Sequence, residues 1–351
     1  VHVSFAEPLL LDQMLERHAP DWREQTADAE ERPAWVHEVV DELGQAVMTR
    51  INAAAHVNAV NLLSVVLLST RKLAMGRDEL ITQLSLYRDL LAHCHYSERI
   101  SFTDRTPEDM IAYGKELGII ESRDHPLGEI VRLVDEQSTL LTWYRNNVAH
   151  LLALPSLVAS CFLNASSITE QNLHRIVRQM HPFLQAELFL PWNEEAFVEA
   201  ANRQVAWLIQ HGLLTRDGDT LKRASGGSKE EMHLRVMGRA LIQTFERYYI
   251  TLAILAKNGS GKISRSELEK LCILTAQRIS ELNEFAAPEF YDRNLFRQFI
   301  SLLREQELIR TDKEGKLTFD DAVTRFSENA EFILGKEIRH NIIRVAPQIL
   351  D

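Results

Sequence analysis

The chain has 351 residues, of which 45% are hydrophobic and 25% are charged. This composition is typical of a folded globular protein, and the length is sufficient for two or three domains. The formal net charge of −11 disfavours nucleic acid, whose phosphates are bound mainly by Lys and Arg. The cysteines, Cys94, Cys161 and Cys272, are too few and too scattered for a dense disulfide framework. We therefore expect a protein of the reducing cytosol with no nucleic-acid partner.

The beginning of the chain has a pattern of its own. Alternating apolar residues in VHVSFAEPL, interrupted at Pro8, predict a strand followed by a turn. We expect residues 1–20 to be the end of a preceding domain. Apolar residues recur at three and four positions from Leu9 to His18 and from Ala34 to Ala55, which predicts two helices. The second helix belongs to a connecting region at residues 21–56.

A pattern of elements recurs three times beyond residue 57, at intervals of 94 and 95 residues measured from Gly118 to Gly212 to Glu307. Each copy begins with an apolar helix, continues through a polar break into two further helices, and ends with a predicted hairpin. This is a winged-helix order. We therefore expect a mainly α fold, a helical array with short β-hairpins in three tandem winged-helix-like units. The expected units and the C-terminal tail are residues 57–135, 136–224, 231–335 and 336–351.

The segment TWYRNNVAH holds the most unusual polar group in the chain. Its candidate site residues are Arg145, Asn146, Asn147 and His150. Asn146 and His150 are four positions apart and would share one face of a helix. One interpretation is recognition of an anionic group or a lipid head group by Arg145, with Trp143 and Tyr144 at a membrane interface. The other, which we favour, is a buried polar network that fixes how the helix packs.

Other signatures of chemistry are absent from the sequence. No Ser, Cys or His lies in a nucleophile motif such as G-x-S-x-G. His93, Cys94 and His95 are adjacent, so on a helix they point in different directions, and no second ligand pair accompanies them. We expect neither a metal site nor a cofactor. No apolar stretch reaches the roughly 18 to 20 residues that a spanning helix needs, while an amphipathic helix in the membrane interface remains an open alternative.

The third helix of the third unit contains both basic and aromatic residues. Arg293, Phe296, Arg297 and Phe299 would suit nucleic acid if all were exposed, because winged helices often read DNA with this helix. The net acidity of the chain and the nearby glutamates argue against that interpretation.

Ten sequence blocks occur in a distinctive order. They are VSFAEPL, HAPDWR, RPAW, RINAA, NAVNL, YRNNVAH, LPSLVAS, QAELFLPW, AQRIS and APEFYD. Together they resemble bacterial glycerol-3-phosphate acyltransferase of the PlsB type. The resemblance extends over nearly the whole chain and is weaker between Cys94 and Arg123 and beyond Thr311.

The resemblance implies a parent protein at the cytoplasmic side of the inner membrane. That protein would transfer a fatty acyl group from acyl carrier protein or coenzyme A to the sn-1 hydroxyl of glycerol 3-phosphate. In the family, a histidine and an aspartate five positions later form the base dyad. None of the 13 histidines here is followed by such an aspartate. By the family's order VSFAEPL comes after the last catalytic motif, so residues 1–20 would end the acyltransferase domain and this chain alone would be inactive.

Several hypotheses remain for the segment itself. The first is that it packs against its own N-terminal acyltransferase domain, stabilising that domain or seating it peripherally on the membrane. The second is a noncatalytic winged-helix scaffold for a protein partner such as acyl carrier protein, whose acidity would require a local basic patch. DNA binding is the third and weakest hypothesis. Membrane seating predicts a surface stripe of apolar and basic side chains, whereas DNA binding predicts a basic recognition helix with a basic wing.

Overall fold

The computed structural model describes residues 2–23, 33–70, 72–283 and 287–348. Residues 24–32 of the expected connecting region and residues 349–351 of the expected tail lie outside these ranges. The described chain forms fifteen α-helices and ten short strands. The helices are α1 (Leu11–His18), α2 (Ala34–Ala53), α3 (Ala59–Leu68), α4 (Arg77–His93), α5 (Pro107–Glu116), α6 (Ser138–Asn146), α7 (Ala149–Ser160), α8 (Glu170–Leu188), α9 (Glu194–Gln210), α10 (Lys229–Arg239), α11 (Ile242–Asn258), α12 (Arg265–Asn283), α13 (Arg293–Glu305), α14 (Asp321–Ile333) and α15 (Lys336–Val345).

The strands are two to four residues long and form four small sheets within the described ranges. They are β1 (His56–Val57), β2 (Ala74–Gly76), β3 (Ser101–Phe102), β4 (Ile120–Arg123), β5 (Ile130–Leu133), β6 (Ser167–Thr169), β7 (Leu214–Asp217), β8 (Thr220–Arg223), β9 (Arg310–Thr311) and β10 (Leu317–Thr318). β1 and β3 pair in parallel, and all the other pairs are antiparallel. The fold is thus mainly α with short hairpins, as expected.

The same order of elements occurs three times along the chain. The first copy is α3, β2, α4, α5, β4 and β5, and the second is α7, β6, α8, α9, β7 and β8. The third is α11, α12, α13, β9 and β10, in which a single bridge between Ser264 and Lys316 replaces the first strand. In the first two copies that strand, which the sequence analysis does not include, pairs with the last strand to give the orders β2-β5-β4 and β6-β8-β7.

The three positions that set the repeat spacing share one backbone conformation. Gly118, Gly212 and Glu307 each follow the third helix of a copy and have φ values of 65°, 72° and 55°. Glycine accepts this left-handed conformation easily, whereas a residue with a Cβ is strained in it. The third copy therefore keeps the turn geometry of the other two although its residue is a glutamate.

The beginning of the chain differs from the expectation. Residues 2–10 contain no strand, and helix α1 follows directly. A strand needs a neighbour to complete its backbone hydrogen bonds, and no described strand lies beside this segment. Val3 and Phe5 are 67% and 89% exposed. Arg99 Nη2 holds the segment by donating a hydrogen bond to the Phe5 carbonyl oxygen at 2.6 Å.

The centre of the molecule is α7. All of its residues are buried, which is the pattern of a helix surrounded by other elements. It packs against α8, α9, α10 and α14. Its approach to α10 is close, because a Cβ built on Gly238 would lie 3.0 Å from the backbone of Ala159. Ser156 Oγ donates a hydrogen bond to the Gly238 carbonyl oxygen at 3.3 Å, which joins the two helices, and it accepts one from the backbone N–H of Leu241, just after α10, at 3.0 Å.

The described part of the expected C-terminal tail contains helix α15. α15 lies against α11, where Lys257 Nζ donates hydrogen bonds to the carbonyl oxygens of Ile343 at 2.9 Å and Ala346 at 2.6 Å. These contacts satisfy carbonyl groups at the end of α15 and place a cation where the helix dipole favours one.

Candidate functional site

Arg145 lies in the last turn of α6, with its side chain 10% exposed. Its Nη2 donates a hydrogen bond to Glu289 Oε1 at 2.7 Å, and its Nη1 donates to Gln243 Oε1 at 3.4 Å. Its Nε and Nη2 also donate to Asn146 Oδ1, each at 3.2 Å. Burial lowers the pKa of Arg145, and the Glu289 carboxylate opposes that effect. A carboxylate of the same chain therefore already occupies the position in which an anionic ligand would bind.

A second buried guanidinium lies on α11. Arg247 is 2% exposed at its side chain and donates a hydrogen bond to Glu187 Oε1 on α8. The other oxygen of Glu187 accepts a hydrogen bond from Tyr248 Oη at 2.8 Å. Burial opposes the charge of Arg247, but Glu187, Tyr248 and Glu289 together outweigh it, so the pKa of Arg247 is raised. The two ion pairs connect α6, α8, α11 and the 3₁₀ turn Pro288–Tyr291, an arrangement that favours the packing interpretation.

The other candidate residues do not form one cluster with Arg145. α6 ends at Asn146 and α7 begins before His150, so these two side chains do not share a helical face as expected, because a turn interrupts the helix. Asn146 and Asn147 are exposed, whereas His150 is 5% exposed. His150 Nε2 lies 3.1 Å from the carbonyl oxygen of Asn52, and its ring meets Tyr96 edge-on at 5.0 Å. Burial lowers the pKa of His150 to about 4, so the ring is neutral at pH 7 and donates to that carbonyl.

A surface that the sequence analysis missed lies on α2. Val40, Val47 and Ile51 are 56%, 39% and 60% exposed, and their spacing, with Gly44 between them, places all four on one face of the helix. We call these four residues the α2 face. A groove of about 400 Å³ separates part of this face from the N-terminal segment. Contiguous exposed apolar side chains mark interaction surfaces. The signal in the sequence was the recurrence of apolar residues on a second face of the predicted helix.

The third helix of the third copy also differs from its expected exposure. Phe296 and Phe299 are 0% and 2% exposed, so the interpretation of this helix as a row of exposed aromatic residues is wrong. Phe299 stacks on Tyr248, with ring centroids 4.4 Å apart. Arg293 and Arg297 are exposed on the other side of the helix. The helical period thus separates the aromatic residues from the basic ones.

Two further properties of the described residues concern metal binding and membrane crossing. No group of three or more His, Cys, Asp or Glu side chains there could hold a metal ion. Within the same residues, no helix combines the length and the apolarity that crossing a bilayer requires.

Comparison with known proteins identifies the family. The sequence model described as glycerol-3-phosphate acyltransferase C-terminal region matches residues 1–312. A glycerol-3-phosphate acyltransferase of Xanthomonas axonopodis pv. citri (strain 306) is 44% identical over 351 residues, which cover 99% of this chain and 40% of the relative. One of Xylella fastidiosa (strain 9a5c) is 44% identical over 352 residues, with 99% and 40% covered. One of Pseudomonas aeruginosa (strain UCBPP-PA14) is 38% identical over 347 residues, with 99% and 42% covered.

The chain therefore spans about two fifths of the length of these relatives. The family match covers most of the chain, and the relatives align with it almost from end to end. The chain belongs to the family of glycerol-3-phosphate acyltransferase C-terminal regions.

Proposed function

We propose that this chain is the C-terminal region of an enzyme that transfers a fatty acyl group from acyl carrier protein or coenzyme A to the sn-1 hydroxyl of glycerol 3-phosphate. The relatives carry the name of that activity, and the chain corresponds to about two fifths of their length. The base dyad of the reaction would lie in the upstream region of the relatives, because no histidine here has an aspartate five positions later. This chain alone is expected to be inactive.

The role that we propose for the chain is to pack against that upstream catalytic region through the α2 face. Fully burying a Val or Ile side chain contributes about 1.5 to 3 kcal/mol, and the three apolar side chains of this face still have roughly half of their surface to bury, so a contact through this face would contribute about half of that for each residue. The helix is firmly attached to the rest of the chain, since Asn52 Nδ2 donates a hydrogen bond to the Leu188 carbonyl oxygen at 2.7 Å. The exposed α2 face is the observation that carries the proposal.

The proposed organisation follows the repeat. Residues 1–20 would end the acyltransferase domain, residues 21–56 would connect it, and the three copies would be winged-helix-like units. The strand orders β2-β5-β4 and β6-β8-β7, in which the first strand pairs with the last, support this proposal. We also propose that the whole protein is peripheral at the cytoplasmic side of the inner membrane, seated through its catalytic region.

The test is a chimera in which this chain follows the upstream region of the Xanthomonas axonopodis relative. We expect the chimera to transfer labelled palmitate from palmitoyl-CoA to glycerol 3-phosphate and the chain alone to be inactive. Replacing Val47→Asp together with Ile51→Asp in the chimera should abolish most of the activity. The matched control is Leu127→Asp, because Leu127 is 92% exposed in the turn between β4 and β5.

Three outcomes would contradict the proposal in different ways. Activity of the chain alone would show that a catalytic base lies within it. An inactive but folded chimera would remove the acyltransferase assignment. Equal activity of the α2 variant and the Leu127 control would show that the α2 face is not the contact.

A further inference from the structure

We propose that this chain docks acyl carrier protein through an arginine face on α12 and α13. The face consists of Arg265, Arg293, Arg297 and Arg304. The proposal rests on the proposed function, which names acyl carrier protein as an acyl donor, and it places the recognition of that donor outside the catalytic region.

The geometry of α13 creates most of this face. Arg293, Arg297 and Arg304 are spaced by four and seven residues, so they lie on one side of the helix, and all three are exposed. Arg265 joins them from α12, where its Nη2 donates a hydrogen bond to Ser301 Oγ of α13 at 2.9 Å. The result is a row of guanidinium groups along the boundary of two packed helices.

The chain offsets only part of the positive charge of the face. Glu269 is its one ion-pair partner among the described residues, with one oxygen 3.1 Å from Arg265 Nε and the other 3.6 Å from Arg297 Nε. The side chain of that glutamate is only 9% exposed. Within the described ranges neither Arg293 nor Arg304 forms an ion pair. Four arginines against Glu269 and the flanking Asp292 and Glu305 leave a local excess of one positive charge on a chain whose net charge is −11.

The arginines are not required by the repeat. Counted back from Glu307, Gly212 and Gly118, the positions of Arg293, Arg297 and Arg304 correspond to Val198, Asn202 and Ile209 in the second copy and to Asp104, Glu108 and Lys115 in the first. The same fold thus forms twice without a basic row at these positions. A basic row confined to one copy indicates a function beyond folding.

An acidic protein surface fits this face better than the other polyanions. DNA binding by a winged helix uses a basic wing as well, but the turn between β9 and β10 carries Asp312 and Glu314 beside its lysines. An anionic membrane is bound by apolar side chains inserted among basic ones. Four apolar residues of α13, Phe296, Phe299, Ile300 and Leu303, are buried instead, and Leu295 and Leu302 are half-buried on the side of the helix away from the arginines. Arginine forks match carboxylates in bidentate geometry, which suits an acidic helix of a carrier protein.

Direct binding tests the inference on the chain as it exists. Titration with palmitoyl acyl carrier protein should give binding that weakens as salt rises, because exposed charge pairs are screened. Replacing Arg293→Glu together with Arg304→Glu should weaken it by about tenfold or more. The control is Arg175→Glu, which changes the charge of an exposed arginine on α8 and should leave binding unchanged. The inference is overturned if the wild-type chain does not bind palmitoyl acyl carrier protein or if the double variant binds it as tightly as wild type does. It is also overturned if the control loses as much affinity as the double variant, or if duplex DNA or phosphatidylglycerol vesicles bind the face instead.

A donor comparison in the chimera separates docking from catalysis. The Arg293→Glu, Arg304→Glu variant should lower kcat/KM with palmitoyl acyl carrier protein and leave kcat/KM with palmitoyl-CoA unchanged. An equal fall with both donors would mean that the arginines support the fold or the chemistry, which overturns docking. A chimera that is inactive with both donors before any substitution would remove the proposed function, while the binding titration would still decide whether the face recognises the carrier protein.

Discussion

Glu246 on α11 predicts an unusual dependence of stability on pH. The residue is 6% exposed, and its Oε2 has no hydrogen-bond partner among the described residues. Burial raises the pKa of Glu246 from 4.5 to about 8, although Arg239 opposes the shift. A carboxyl group with little exposure and an unpaired oxygen is more stable when protonated. The folded protein therefore holds a proton between these two pH values that the unfolded chain releases.

The sign and size of this dependence of stability on pH follow from proton linkage. Between pH 4.5 and about 8 the folded state binds one more proton than the unfolded state, so the free energy of unfolding falls as pH rises through that window. The slope is about 1.4 kcal/mol per pH unit. Replacing Glu246→Gln removes this loss, because the amide does not ionise. The variant should gain about 3 kcal/mol relative to wild type between about pH 5.5 and 7.5.

Urea unfolding at the two pH values, followed by tryptophan fluorescence, measures this difference directly. Asp217→Asn is the matched control, because Asp217 is ionised in the folded and unfolded states throughout this window, and the variant should therefore keep the wild-type change. Lys222 lowers the pKa of Asp217, so the stabilisation that its carboxylate contributes is present at higher pH and is lost as pH falls. If wild type and Glu246→Gln change in parallel between the two pH values, Glu246 is not protonated in the folded state and the reasoning fails.

The other predictions concern stability and are checked by the midpoints of urea unfolding. Gly238→Ala should destabilise the folded protein by about 1 to 3 kcal/mol, because the new methyl group overpacks the contact with α7. Gly44→Ala should stabilise it by up to about 1 kcal/mol, because Gly44 lies on an exposed helix face and no neighbouring element of the described chain approaches the new Cβ within 4 Å. Glu307→Gly should stabilise by about 1 kcal/mol because it relieves a left-handed backbone, and a loss would refute the equivalence of the three turns. Arg145→Ala should destabilise by about 3 to 5 kcal/mol, and replacing both Arg145→Met and Glu289→Leu should recover most of that loss.

The sequence predicted the parts of the fold that depend on local patterns. The three apolar helices, the second and third helices and the hairpins follow from periodicity, and the spacing of Gly118, Gly212 and Glu307 identified equivalent turns. The strand at Ala74–Gly76 was missed because three residues carry no periodic signal and its partner β5 lies more than fifty residues away. The strand expected at the beginning of the chain does not form in residues 2–10, where alternation meets no neighbouring strand among the described residues.

The candidate site was harder to predict because its partners are distant in sequence. YRNN was identified as unusual, but the carboxylate of Glu289 lies 144 residues from Arg145, and no local pattern joins them. The turn after Asn146 separates His150 from the other candidate residues. This turn could not be predicted, because the sequence has neither a Gly nor a Pro there to signal it. The arginine face, by contrast, was predictable: a helical projection of α13 places Arg293, Arg297 and Arg304 within one narrow sector and the phenylalanines outside it.

The complete burial of α7 limits how this architecture could change during evolution. In an open repeat array each copy contacts only its neighbours, so copies can be gained or lost one at a time. Here α14, which follows the third copy, returns to pack on α7 of the second. Gly335 also lies close to Asn164, with a Cβ built on the glycine only 2.8 Å from Asn164 Oδ1. Removing or duplicating a copy would uncover the central helix, so the number of copies is fixed by closure, and new sequence is tolerated only in the exposed turns between strands.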